Sequence, residues 1–310
     1  MDSEIEQSAL AQVLREAARA TILDLTQNQP WQQTAVEKVE FHLGDDPIEA
    51  DAQAQQIFSS AVFSHSDAKR LRIVDVVGEE ETALLHVPRS GDRVIVLDPL
   101  DGSKPWAMAR TGYCVAAICL RLNSENVWQI DGAILATPTD VFSLRGDRDL
   151  RYGYLAQDPL SDVSIQSTTP ENPLFQPSLA TVAYKPNDRS RSLPIFNELP
   201  DWSIITLGGN PFAPYVITGA LTATMTTRKS TTWDTLGVLM ASATDAVVGT
   251  IGGKVLGGDF RHLFAQVALS GSEASPIPEL IVTKSMDRYS ELVEAVRRSG
   301  FDPSVNNNIL

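Results

Sequence analysis

Residues 94–106, VIVLDPLDGSKPW, constrain this chain more than any other stretch. The apolar β-formers Val94 to Leu97 read as a buried strand and lead directly into Asp98-Pro99-Leu100-Asp101-Gly102-Ser103. Carboxylates this close together at the end of a buried strand are costly to desolvate unless something positive lies between them. A hard divalent cation such as Mg²⁺, held by oxygen ligands, is the usual partner. The Gly, hydroxyl residue and Pro that follow suit a turn into a short helix, whose first N–H groups bind anions, phosphate above all. The same Asp, Pro and Gly are also ordinary turn residues. Alone, the run reads either as a metal and phosphate site or as a tight turn.

With 310 residues, the chain exceeds the usual single-core size, so two subdomains or one large layered unit are expected. A net charge of −14 argues against nucleic acid polymers and anionic membranes as partners. It leaves room for a small phosphorylated ligand whose charge a bound metal neutralises locally. No window of the sequence is apolar enough to span a membrane, and the N-terminal MDSEIEQSALAQVLREAA lacks the basic and apolar regions of a signal peptide. A cytoplasmic protein is the expectation. Cys114 and Cys119 fall in one apparent strand, five residues apart, so they point to opposite faces and read as small core residues. His42, His65, His86 and His262 are scattered, which speaks against zinc.

Periodicity predicts a helix over 3–26, with Ser3 as a possible N-cap, and a second over 50–64. Strands are expected at 71–77, 94–98, 112–121, 127–136 and 140–144. Residues 145–178, rich in Asp, Ser, Pro and Gly, mark a subdomain boundary that divides the chain into 1–150 and 151–310. Beyond it a strand is expected at 179–184 and a helix at about 209–220. Another strand ends at Met225, a helix starts near Asp234, and a strand at 279–283 precedes a helix at 287–299, which stops at Ser299-Gly300. Strands and helices alternate in both halves, which suits a layered α/β or α+β architecture.

Further acids complete a possible set. Asp234, in Thr231-Thr232-Trp233-Asp234-Thr235-Leu236-Gly237, is either a metal ligand or an N-cap. Glu79 follows a strand and a Gly, and it reads either as a reach into the same strand-end cavity or as part of a solvated acidic turn with Glu80 and Glu81. Asp51 is a site residue or a cap. GTIGGKVLGG at 249–258 has the look of a P-loop, but Val255 follows Lys254 where a Ser or Thr is required.

GEE at 78–80, DPLDGS at 98–103 and TWDTLG at 232–237 stand in the order and spacing of the inositol monophosphatase superfamily, which the chain resembles over nearly its whole length. DPIEAD at 46–51, TGYCVAAICL at 111–120 and ELIVTKSMDRYSELVEAV at 279–296 resemble further segments of that superfamily. The resemblance implies a layered α-β-α-β-α sandwich of the sugar-phosphatase type, with two mixed sheets. It also implies a lithium-sensitive phosphomonoesterase that uses two or three Mg²⁺ ions, and a possible homodimer. Glu79, Asp98 and the Leu100 carbonyl would hold one Mg²⁺, and Asp98, Asp101 and Asp234 a second. Ser103, in place of the usual Thr, would pair with Asp51 to orient and deprotonate the attacking water. The Gly102 and Ser103 amides would grip the phosphate.

For the substrate, DPLDGSK and WDT resemble the 3′(2′),5′-bisphosphate nucleotidase branch. The position seven residues before Asp234, where inositol-preferring members carry a Glu, is Thr227. Against that branch, Tyr184-Lys185-Pro186-Asn187-Asp188 stands where an SRSH-like segment is typical, and DPLDGS is also the spelling of fructose-1,6-bisphosphatases. Lys185, Arg189 and Arg191 form a basic loop that could bind a second phosphate. The substrate is left between a phosphorylated nucleoside and a phosphorylated polyol, sugar or amino alcohol. A non-catalytic phosphate- or metal-binding regulator is the alternative of a different class.

Overall fold

The computed structural model describes residues 2–27, 49–78, 84–102, 106, 112–157, 161–169, 176–181, 186–206, 210, 212–269 and 277–302. Two compact units emerge, one of Met1–Gly146 with Arg151–Val163, the other of Asp147–Leu150 with Ser164–Leu310.

In the first unit, helices α1 (Asp2–Gln27) and α2 (Glu49–Ser64) pack on each other and on a sheet built from β1 (Ile73–Gly78), β2 (Arg93–Asp101), β3 (Cys114–Leu122), β4 (Trp128–Ala136) and β5 (Asp140–Arg145). Strands β6 (Asp149–Tyr154) and β7 (Val163–Ser164) extend the same sheet, whose order follows the sequence. β1 pairs parallel to β2, and β2 through β5 pair antiparallel, so the sheet is mixed. Leu10, Leu14, Phe58, Ile95, Leu97 and Trp106 fill the core beneath it. α1 starts at Asp2, which puts Ser3 inside the first turn rather than at the cap.

Buried charge is paired here. Arg93 donates to Asp131 at 2.5 Å, to Glu6 at 2.7 Å and to the Leu71 carbonyl, so one guanidinium ties α1, β2 and β4 together. Arg15 on α1 donates to Asp162 at 2.5 Å and to the Tyr154 carbonyl at 2.6 Å, which pins the chain after β6. Such pairs, once buried, are costly to break from one side.

The second unit has its own sheet and core. Its strands are β8 (Ser178–Thr181), β9 (Ser203–Thr206), β10 (Ala223–Met225), β11 (Val247–Thr250) and β12 (Leu280–Thr283), in the order β11-β12-β10-β8-β9. β12 is antiparallel to both neighbours, and β10-β8-β9 are parallel, so this sheet is mixed too. Helices α3 (Pro186–Asn197), α4 (Phe212–Ile217), α5 (Leu236–Ala241), α6 (Asp259–Val267) and α7 (Met286–Arg298) complete the unit. Leu179, Ile195, Met225, Ile281 and Leu292 are among its core residues. α7 opens with Ser285, whose hydroxyl accepts from the Arg288 N–H, and ends at Gly300 with φ +70°.

One expectation is corrected, and two stretches gain detail. The 145–178 stretch contains β6 and β7, because Leu150, Tyr152 and Tyr154 supply a period-2 pattern that the flanking Gly and charged residues obscured. Residues 186–197 are helical where a basic loop was expected, and Pro186, at the first helical position, is compatible with that start. The 249–258 run, rejected as a P-loop on its sequence, has a structure of its own. It closes as a hairpin, with Gly253 N–H donating to the Thr250 carbonyl and Thr250 N–H to the Lys254 carbonyl.

Candidate active site

The DPLD run lies within β2, which continues to Asp101 instead of ending at Asp98 in a turn. The ladder with β3 pairs Asp98 with Ala116 and resumes with Asp101 opposite Cys114, so Pro99 and Leu100 drop out of register. Pro lacks an N–H and is tolerated in a strand at such an irregularity. Asp98 Oδ1 accepts from the Leu100 N–H at 3.2 Å, which fixes this carboxylate against its own backbone. Asp98 is 6% exposed and Asp101 8%, so both carboxylates sit at a nearly closed strand end. Cys114 donates its thiol proton to Asp101 Oδ2 at 3.6 Å, and burial together with the adjacent carboxylate raises that thiol's pKa well above its ordinary value. Both cysteines are free and buried.

Gly102 follows with φ +90°, and a Cβ there would stand 2.5 Å from the Gly112 carbonyl oxygen. Only glycine fits that combination. The Gly102 carbonyl accepts from the Trp106 N–H at 3.0 Å. Trp106, in turn, donates its indole N–H to the Leu25 carbonyl. Asp51 lies inside the first turn of α2, which begins at Glu49 and packs on β2, so it does not occupy the cap position. The side chain of Gln55, one turn later, lies against the Gly78 α-carbon, in the space a Cβ there would occupy.

In the second unit, Asp234 is the middle residue of a 3₁₀ turn, Trp233–Thr235, that leads into α5. Thr231 donates its hydroxyl to Asp234 Oδ2 at 3.1 Å. Neither helix start here has a side-chain cap, so the N-cap reading of Asp234 is dropped. Asn210, 3% exposed, grips the turn from both sides. Its Nδ2 donates to the Trp233 carbonyl at 2.6 Å, and its Oδ1 accepts from the Gly237 N–H at 2.9 Å. Asn210 carries no signal of this role in the sequence; a buried amide is visible only once its partners are placed. Beside Asp234 is a cavity of about 30 Å³, also lined by Thr181, Thr224, Thr226 and Asn210.

Thr227 is 1% exposed, and its hydroxyl shares a 3.0 Å hydrogen bond with Ser192 of α3. Arg189 is exposed on the first turns of α3, while Arg191 lies 5.2 Å over the Phe301 ring. Glu79, Ser103 and Lys185 fall outside the described residues. Among the described residues no three or more His, Cys, Asp or Glu side chains group as a ready metal site. The donors that are described at the end of β2 are carboxylate and carbonyl oxygens, a set that fits hard Mg²⁺ rather than zinc.

No protein-family model and no curated protein sequence matches the chain. Solved structures do. The extragenic suppressor protein SuhB of Bartonella henselae is 15% identical, with a TM-score of 0.63 over 94% of this chain and 98% of its own. An IMPase of Thermotoga maritima is 14% identical, with a TM-score of 0.60 over 97% and 98%. The fold is that of the inositol monophosphatase family. CysQ of Bacteroides thetaiotaomicron, described as a bacterial member of that family, shares it at 15% identity and a TM-score of 0.57, over 90% of this chain and 98% of its own. The two mixed sheets that the family resemblance implied are those of this fold.

Proposed function

We propose that the chain is a Mg²⁺-dependent phosphomonoesterase of a small phosphorylated metabolite. The observation that carries this reading is the end of β2. There two buried carboxylates, a ladder irregularity at Leu100 and a glycine at positive φ whose carbonyl accepts from the Trp106 N–H follow one another within the inositol monophosphatase fold. Mg²⁺, when bound, supplies a lowered water pKa and charge neutralisation on the leaving oxygen. The chain supplies the rest. Asp98, Asp101, the Leu100 carbonyl, Glu79 and Asp234 are the proposed ligands. Asp51 and Ser103 orient the attacking water and take its proton, and the Gly102 and Ser103 amides hold the phosphate. With the full set of acids and the hydroxyl present, catalysis is favoured over a regulator that only binds phosphate.

Within that class, a phosphorylated nucleoside such as a 3′,5′-bisphosphate is the proposed substrate. Thr227, buried and bonded to Ser192, puts no carboxylate where a polyol's hydroxyls would need an acceptor. Exposed Arg189 on α3 offers a cation for a second phosphate.

Phosphate release from a panel of small phosphomonoesters, with and without Mg²⁺, tests the reading. Activity is expected with Mg²⁺, abolished by EDTA, and absent in Asp98→Asn. Full turnover in chelator, or in that variant, sinks the metal mechanism. If kcat/KM for inositol 1-phosphate exceeds that for adenosine 3′,5′-bisphosphate, the nucleotide preference is wrong and the phosphatase reading survives.

A further inference from the structure

Asp234 sits on a 3₁₀ turn of three residues, a structure with few hydrogen bonds of its own and poor internal geometry. Its own side-chain support is local: Thr231 Oγ1 accepts from the Asp234 N–H at 3.4 Å, and the Thr235 hydroxyl donates to the Thr231 carbonyl at 2.9 Å. What brackets it is Asn210, from outside the turn and 24 residues earlier in the chain. The amide nitrogen takes the carbonyl of Trp233, the residue before Asp234, and the amide oxygen takes the N–H of Gly237, three residues after it. With donor and acceptor both used on either side, the peptide run from 233 to 237 has a fixed position relative to Asn210. The approach is close, since a Cβ on Gly237 would stand 2.0 Å from the Asn210 backbone oxygen. Thr231 adds a lateral contact to Asp234 Oδ2, which steers one carboxylate oxygen and leaves the other's direction to the backbone.

We propose that Asn210 is the positioning residue of Asp234, a clamp that sets the angle at which this carboxylate is offered to a metal. The inference rests on the reading of Asp234 as a Mg²⁺ ligand. Asparagine is required because Asp, its isostere, lacks the donor for the Trp233 carbonyl and would place a carboxylate oxygen against it. Alanine removes both arms. Partners that hold a ligand in place typically matter by about 10–100-fold in metal affinity when removed.

The test is a double-mutant cycle on Mg²⁺ affinity, measured by titration calorimetry on folded protein and by the Mg²⁺ dependence of phosphate release. Asn210→Ala is expected to weaken Mg²⁺ binding by about tenfold or more, and Asp234→Asn to weaken it at least as much. In the Asp234→Asn background, Asn210→Ala is expected to have little further effect, because the clamp then has no ligand to position. Asn210→Asp keeps the size and the Gly237 acceptor, and carries the same cycle if Asn210→Ala folds poorly. Unchanged Mg²⁺ affinity in the Asn210 variants, or an equal loss in both backgrounds, overturns the clamp while leaving Asp234 a ligand. Unchanged affinity in Asp234→Asn overturns the ligand reading, and the clamp with it.

Discussion

At Gly102 the backbone takes φ +90° and comes so close to Gly112 that no side chain fits, and the residue that follows is the one on which proton transfer is proposed to depend. Ser103 keeps the hydroxyl of the family's usual Thr and loses one methyl. Ser103→Ala is expected to lower kcat by at least about 10²-fold, the scale of general-base assistance, with the thermal unfolding midpoint little changed. Ser103→Thr should stay near wild type. An inactive Thr variant in a steady-state assay would assign the catalytic hydroxyl elsewhere. Neighbouring Asp101 shows why individual residues were only partly legible. The acid itself was plain in the sequence, but the thiol donating to it from Cys114 depends on a cross-strand register that no local pattern reveals.

Elements with a long, clean period were legible. α1, α7 and the strands β2 to β5 fall within a few residues of their predicted bounds. The departures share a cause, in that tertiary pairing overrode local chemistry. Asp-Pro-Leu-Asp reads as a turn by composition, yet β3 pairs on both sides of the irregularity and draws it into the strand. α5 was legible only as a helix near Asp234, and the 3₁₀ turn before it was not, since nothing in TTWDTLG separates one helical turn from another. The glycine of that motif now has a reason. Gly237→Ala would drive a methyl into the Asn210 carbonyl and Pro214. Overpacking of this kind costs about 1–3 kcal/mol, so a melt followed by circular dichroism should show a midpoint several degrees lower. An unshifted midpoint would mean that α5 can slide away from Asn210 at no cost.

At the scale of the whole molecule, each of the two units has a mixed sheet and a core of its own. A net charge of −14 surrounds that chemistry. An anionic substrate approaching such a chain is repelled at long range and would be attracted only by nearby cations, the proposed Mg²⁺ above all. Salt separates these scales, because the screening length shrinks from about 30 Å at 0.01 M to about 10 Å at 0.1 M. The molecule's overall field is then hidden, while contacts within a few ångströms are weakened less. At saturating Mg²⁺, kcat/KM is therefore expected to rise as salt increases over that range, and to rise more steeply for a nucleoside 3′,5′-bisphosphate than for a monophosphate, since the repulsion scales with substrate charge. Stopped-assay rates at constant Mg²⁺ and varied KCl would read this directly. A steady fall with salt for both substrates would show the opposite balance, with the field of the site reaching further than that of the surface around it.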